Sequence, residues 1–104
     1  MLNASRIGGL ILAGLRDLAT RYEQIGDVRG TGMYFAVELV TDRASKTPDM
    51  KTALRLVNHL RENRVLISAT GPDASILKIR PPLIWSEREV GRLLDALESA
   101  FNAL

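Results

Sequence analysis

The run Ile76-Leu77-Lys78-Ile79-Arg80-Pro81-Pro82-Leu83 admits few conformations. Its β-branched and alternating apolar residues favour a strand. Its double proline ends one, because neither ring nitrogen can donate to a ladder. Residues two apart on a strand share a face. Lys78 and Arg80 therefore project together, and Leu77 and Ile79 face the other way. Two convergent cations at a strand end suit an anionic ligand. The plainer reading is a solvated pair whose stems lie along the sheet. Beyond Trp85, the stretch Ser86-Glu87-Arg88-Glu89 opens a helix, with Ser86 as cap and Glu89 completing a capping box. Val90, Leu93, Leu94, Leu97, Phe101 and Leu104 form that helix's apolar stripe.

The periodicity of the rest is equally readable. Ile7, Leu10, Ile11, Leu15, Leu18 and Tyr22 fall at helical spacing, with Gly14 on the same stripe, and predict a helix over residues 4–23. Gly8-Gly9 weakens its first turns. Close packing against a neighbour and simple fraying explain that pair equally well. Gly26-Asp27 turns the chain into a strand at Val28-Arg29, and Gly30-Thr31-Gly32 interrupts it. A lone Gly-x-Gly before a strand is no nucleotide fingerprint, which needs a third glycine and an immediate helix. Over residues 33–40 the pattern alternates. Met33, Phe35, Val37 and Leu39 take one face; Tyr34, Ala36, Glu38 and Val40 take the other.

A polar loop at residues 41–46 leads to Thr47-Pro48-Asp49. Here Thr47 can cap a helix, Pro48 suits its first position and Asp49 complements its dipole. Ala53, Leu56, Val57 and Leu60 make its buried stripe, with His59 off it as a surface residue. Asn63 suits the left-handed end of this helix. Val65-Leu66-Ile67-Ser68 is a short strand, and Gly71-Pro72-Asp73-Ala74-Ser75 turns it back antiparallel. The order is helix, strand, strand, helix, strand, strand, helix. It predicts a single α+β domain over residues 1–104, an antiparallel or mixed sheet of three to four strands with helices packed on one face.

Composition removes several function classes. The chain of 104 residues contains no cysteine, so neither a disulfide framework nor thiolate chemistry is available. One histidine without cysteines excludes a tetrahedral zinc site within one chain. No stretch approaches the roughly 18 apolar residues of a membrane span, and the first residues lack a signal-peptide pattern. A soluble, cytoplasmic protein is the expectation, without a membrane partner. Net charge is +2, and eleven of fourteen cations are arginine. They are dispersed among acids and lack an aromatic ladder, so nucleic acid is not an expected partner.

Three segments carry a family resemblance. Gly71-Pro72-Asp73 with the run ending in Pro81-Pro82-Leu83 resembles the last sheet segment of class III aminotransferases. These are fold-type I enzymes that use pyridoxal phosphate (PLP). Ile25-Gly26-Asp27-Val28-Arg29-Gly30-Thr31-Gly32-Met33 resembles the start of that family's small-domain sheet. Leu60-Arg61-Glu62-Asn63-Arg64-Val65-Leu66-Ile67-Ser68 resembles its next helix-to-strand junction. The match runs in register along nearly the whole chain and covers only the family's C-terminal domain. That family usually has glycine where Arg64 stands. A positive φ there would cost on the order of 1 kcal/mol.

The resemblance implies what this chain supplies and what it lacks. The Schiff-base lysine, the acid facing the pyridine nitrogen and most of the phosphate cup belong to the family's large domain. PLP is thus implied for the full-length enzyme, with none expected on this chain alone, and the isolated chain is expected to be inactive. The family usually places an arginine where Lys78 stands, to grip a substrate carboxylate through a bidentate fork. Lysine there resembles the branch of phospho-lyases acting on phosphoethanolamine or phosphohydroxylysine. Lys78 and Arg80 are accordingly the candidate substrate-binding residues, with no catalytic residue and no metal ligand. Asp27 and Glu38 have no spacing that establishes a pair, Arg29 is expected to tie strand to helix, and Ser68 and Ser75 lack an activating histidine.

The function this implies is the C-terminal domain of a PLP-dependent enzyme, a transaminase or phospho-lyase acting on a small amine or amino acid. The alternative is a stand-alone binding or oligomerisation module that kept the fold without the chemistry. Apolar surface along the first helix is expected to remain exposed, favouring a homo-oligomer or docking to a PLP-binding large domain.

Overall fold

A computed structural model describes residues 2–62, 67–81 and 85–104. Helix α1 (Leu2–Arg21) leads into strands β1 (Ile25–Thr31) and β2 (Tyr34–Leu39). Helix α2 (Met50–Glu62), strands β3 (Ser68–Thr70) and β4 (Ile76–Ile79) and helix α3 (Glu87–Asn102) follow. All pairings are antiparallel, and the strand order is β1-β2-β4-β3. The expected element order and α+β class hold, and the sheet is a four-stranded, open one.

The helices cover one face of the sheet. Ile7, Ile11, Leu15 and Leu18 of α1 meet Phe35, Val37 and Leu39 of β2 and Leu77 and Ile79 of β4 in one core. Leu56 and Leu60 of α2 and Leu93, Leu97 and Phe101 of α3 complete it. At roughly 1.5–3 kcal/mol per buried aliphatic or aromatic side chain, this single layer is the main stabilising contribution. Tyr22 stacks on Phe101 at 5.0 Å between ring centroids, and its hydroxyl reaches Asn102 Oδ1 at 2.5 Å. Gly8 packs against the Gly32 carbonyl and Gly14 against Leu94, whereas nothing approaches Gly9. The glycine pair thus divides: Gly8 serves close packing and Gly9 does not. Among the described residues, α1 leaves one large apolar side chain exposed, Leu10, so the expected bare stripe is in fact buried.

Several local expectations are corrected. Helix α1 ends at Arg21, where a helix to residue 23 was expected. Strand β1 continues through Gly30 to Thr31, and Met33 belongs to a two-residue turn with Gly32. Gly32 has φ +58°, as the first central position of a tight hairpin turn requires. Helix α2 is capped by Asp49: its carboxylate accepts from the Thr52 amide at 3.0 Å and the Thr52 hydroxyl at 2.6 Å. Thr47 and Pro48 are drawn into extended pairing instead, Thr47 accepting from the Thr41 amide and Pro48 bridging Val40. A residue before proline prefers this extended form. Ser86 does stand at the start of α3, but its hydroxyl donates to Glu89 and makes no bond to a helix amide. The expected strand at residues 65–68 appears as β3 from Ser68 onward, after a buried Ile67. Asn63, Arg64, Val65, Leu66, Pro82 and Leu83 lie outside the described residues.

Candidate anion site on the open sheet face

Among the described residues, no helix packs on the second face of the sheet. Register and alternation decide what stands on it. Arg29 pairs with Ala36, Ala36 with Lys78, and Lys78 with Ser68, so these four side chains cross the sheet in one row. The adjacent row holds Asp27, Glu38, Ile76 and Thr70. At the other side, Tyr34 pairs with Thr31 and lies next to Arg80, one residue past the end of β4. Leu77 and Ile79 are buried on the core side, as the alternation requires. Ala36 points to the open face yet is 7% exposed, because two long side chains flank it on neighbouring strands.

The two candidate cations converge as the alternation in their strand demands. Lys78 Nζ lies 5.8 Å from the centroid of the Tyr34 ring, and Arg80 Cζ also lies 5.8 Å from it. Each contact contributes about 0.5–1 kcal/mol at an exposed site. Among the described residues, neither cation has a carboxylate within ion-pair distance. The acids of this face are engaged elsewhere: Arg29 Nη1 donates to Asp27 Oδ2 at 2.7 Å and to Glu38 Oε2 at 2.9 Å. These bonds, the one to Glu38 foremost, raise the Arg29 pKa above its ordinary value. Arg29 thus ties strand to strand, correcting the expected bond from strand to helix. Asp27 and Glu38, which spacing alone left unpaired, are cross-strand partners.

Beside Tyr34 the open face is hollowed. A depression of about 380 Å³ runs over Ala36 between Arg29 and Tyr34 at one end and Thr70, Gly71 and Ile76 at the other. Tyr34 thus both lines this depression and meets two cations that have no carboxylate partner among the described residues. The face offers no nucleophile–base pair: His59 lies between α2 and α3, its Nε2 3.5 Å from Ser99 Oγ. Among the described residues no cluster of His, Cys, Asp or Glu could hold a metal ion. No helix there is long and apolar enough to cross a membrane.

The sequence pattern of the family described as aminotransferase class-III matches residues 1–101. The ethanolamine-phosphate phospho-lyase homolog 1 of Caenorhabditis elegans is 35% identical over 103 residues, covering 98% of this chain and 22% of that protein. The structure of an Arthrobacter phospholyase in complex with phosphoethanolamine superimposes with a TM-score of 0.93 at 34% identity, covering 100% of this chain and 25% of the other. An amine transaminase from an uncultivated Pseudomonas species, in its PLP-bound form, gives a TM-score of 0.86 at 32% identity, over 97% of this chain and 23% of the other. The chain therefore spans between a fifth and a quarter of the length of these relatives.

Proposed function

Since this chain belongs to the class III aminotransferase family, whose enzymes depend on PLP, we propose that it is the part of such an enzyme that receives the substrate's anionic group. One observation carries the reading: Lys78 and Arg80 converge on Tyr34 without a carboxylate partner among the described residues. Lys78 is the primary contact and Arg80 the secondary one.

The charge balance favours a phosphorylated amine over an α-amino acid. A phosphoryl group carries a charge of about −1.5 to −2 near neutral pH and suits two cations. A carboxylate carries one charge and is matched best by a single guanidinium fork. Lysine presents a compact, hydrated point charge without that fork. The likeness to an ethanolamine-phosphate phospho-lyase homolog and to a phospholyase holding phosphoethanolamine supports the same choice. The class of reaction is then elimination of phosphate from an amine, with transamination as its competitor.

The residues described here do not fit the cofactor itself. Lys46 lies in the exposed loop before α2, and Lys51 is exposed in the first turn of that helix. Lys78 shares its face with Tyr34 and Arg80 and, among the described residues, forms no ion pair; Glu38 in the adjacent row is bound to Arg29. The reading therefore leaves cofactor binding to the rest of the enzyme. It predicts that PLP added to the 104-residue chain develops no protein-bound visible absorption band.

The test is Lys78→Ala in the complete enzyme, assayed on phosphorylated amines and on α-amino acids. Loss of one charge-assisted hydrogen bond lowers kcat/KM for the phosphorylated amine by about 2 kcal/mol, roughly 30-fold. Lys78→Arg recovers only part of this loss, because a planar fork replaces a compact ammonium. Unchanged kinetics on both substrate classes would make Lys78 a surface residue and remove the reading.

A further inference from the structure

We propose that Tyr34 is the positioning residue of this anion site: its ring holds the Lys78 ammonium and the Arg80 guanidinium together without using up their charge or their N–H donors. The inference rests on the reading that this cation pair receives the substrate's anionic group.

Tyr34 is 43% exposed, a large aromatic on a sheet face that no described helix covers. Packing does not account for it. Its position does, since its ring lies within reach of both cations, at 5.8 Å from each. Lys78 and Arg80 stand two residues apart on one face and repel each other. Left alone, two long flexible side chains with like charge splay into solvent. A carboxylate at position 34 would hold them, but it would also neutralise them and occupy the donors that a ligand needs. The face shows that outcome alongside: Arg29 is held by Asp27 and Glu38 and is spent on them. A π face attracts a cation through its quadrupole and accepts none of its N–H bonds in the plane where an anion approaches. Tyr34 thus orders the pair and leaves it competent to bind.

The ring also fixes where the anion sits relative to the rest of a substrate. Tyr34 is at once the partner of both cations and a wall of the hollow over Ala36. An anion gripped by Lys78 and Arg80 has its organic group directed along that wall.

The experiment is a titration of the 104-residue chain with inorganic phosphate at fixed ionic strength, followed by NMR. It reports the dissociation constant together with the ring-current shift of the Lys78 ε-methylene protons. Unfolding midpoints of each variant are recorded separately. Tyr34→Leu is expected to abolish the ring-current shift and weaken phosphate binding about fivefold. Tyr34→Phe restores both to within about twofold of the parent. Tyr34→Glu abolishes saturable binding, because the new carboxylate takes the phosphate's place. If Tyr34→Leu binds phosphate like the parent while Lys78→Ala does not, Tyr34 has no positioning role and the anion reading stands alone. If Lys78→Ala binds like the parent, or the parent does not bind, the anion reading fails and takes this inference with it.

Discussion

Gly8 of α1 lies directly against the carbonyl oxygen of Gly32 in the β1–β2 turn, leaving no space for a Cβ. The helix can approach the hairpin this closely because Gly8 lacks a side chain; a Cβ at Gly32 would meet open space, and glycine is needed there for its positive φ. Gly8→Ala is expected to push the two apart and lower stability by about 1–3 kcal/mol, the scale of overpacking. Gly9→Ala, one residue on and facing open space, should raise stability by up to about 1 kcal/mol through helix propensity. Urea denaturation of the two variants distinguishes them by sign. A shared sign would show that α1 does not dock on the turn through Gly8.

Arg43 closes the C-terminal end of α1 from a distance in sequence. Its guanidinium donates to the carbonyls of Ala19, Tyr22 and Ile25, the last two at 3.1 and 3.2 Å. Ala19 lies in the last turn of α1, Tyr22 just after it and Ile25 at the start of β1, and a cation at the helix end also opposes the helix dipole favourably. Arg43→Ala should cost about 1–2 kcal/mol and speed amide exchange in the last turn of α1. Arg43→Lys should restore only part, since one ammonium cannot span three acceptors at these positions. Exchange rates in α1 that match the parent would exclude the capping role.

Glu89 provides a pH-dependent contribution. The Ser86 hydroxyl donates to its carboxylate and is the first cause that lowers its pKa below the ordinary 4.5. A carboxyl whose folded pKa is depressed stabilises the fold above its unfolded pKa. That contribution fades as pH falls through the folded value. Ser86→Ala should move the Glu89 midpoint back toward 4.5 and flatten the loss of stability in the acid range below it. A carboxylate-resolved NMR titration reads the midpoint. An unmoved midpoint would assign the shift to something other than Ser86.

Helices, strands and the buried stripes were legible because each follows a local period: Ile7 to Leu18 by turns, Leu77 and Ile79 by alternation. Helix starts were less so. Thr47 read as the cap and Asp49 only as a first-turn acid; what makes Asp49 the cap is the pairing of Pro48 with Val40, a contact made outside the helix. The candidate site was half legible. Lys78 lies in β4 and Arg80 one residue past its end, so their shared face follows from extended alternation carried just beyond the strand. Tyr34 was placed on the right side of its own strand, but its meeting with the cations depends on β2 lying beside β4. The partners of Arg29 were misassigned to a helix for the same reason, since Asp27 and Glu38 face one another only through the β1–β2 register. Period-two reading assigns faces; strand order assigns neighbours, and no local pattern encodes it.

That strand order also sets when the site can exist. The β1–β2 hairpin closes locally through a two-residue turn. The β2–β4 ladder instead joins Phe35 to Ile79 and Glu38 to Ile76, positions about 40 residues apart, with α2 and β3 threaded between them. Such a non-local closure is entropically costly and slow compared with a hairpin. Tyr34 is ready in the hairpin from the outset, while Lys78 and Arg80 reach it only when the distant ladder zips. The meeting of Tyr34 with Lys78 and Arg80 therefore depends on the non-local β2–β4 ladder and is expected to form after the local hairpin.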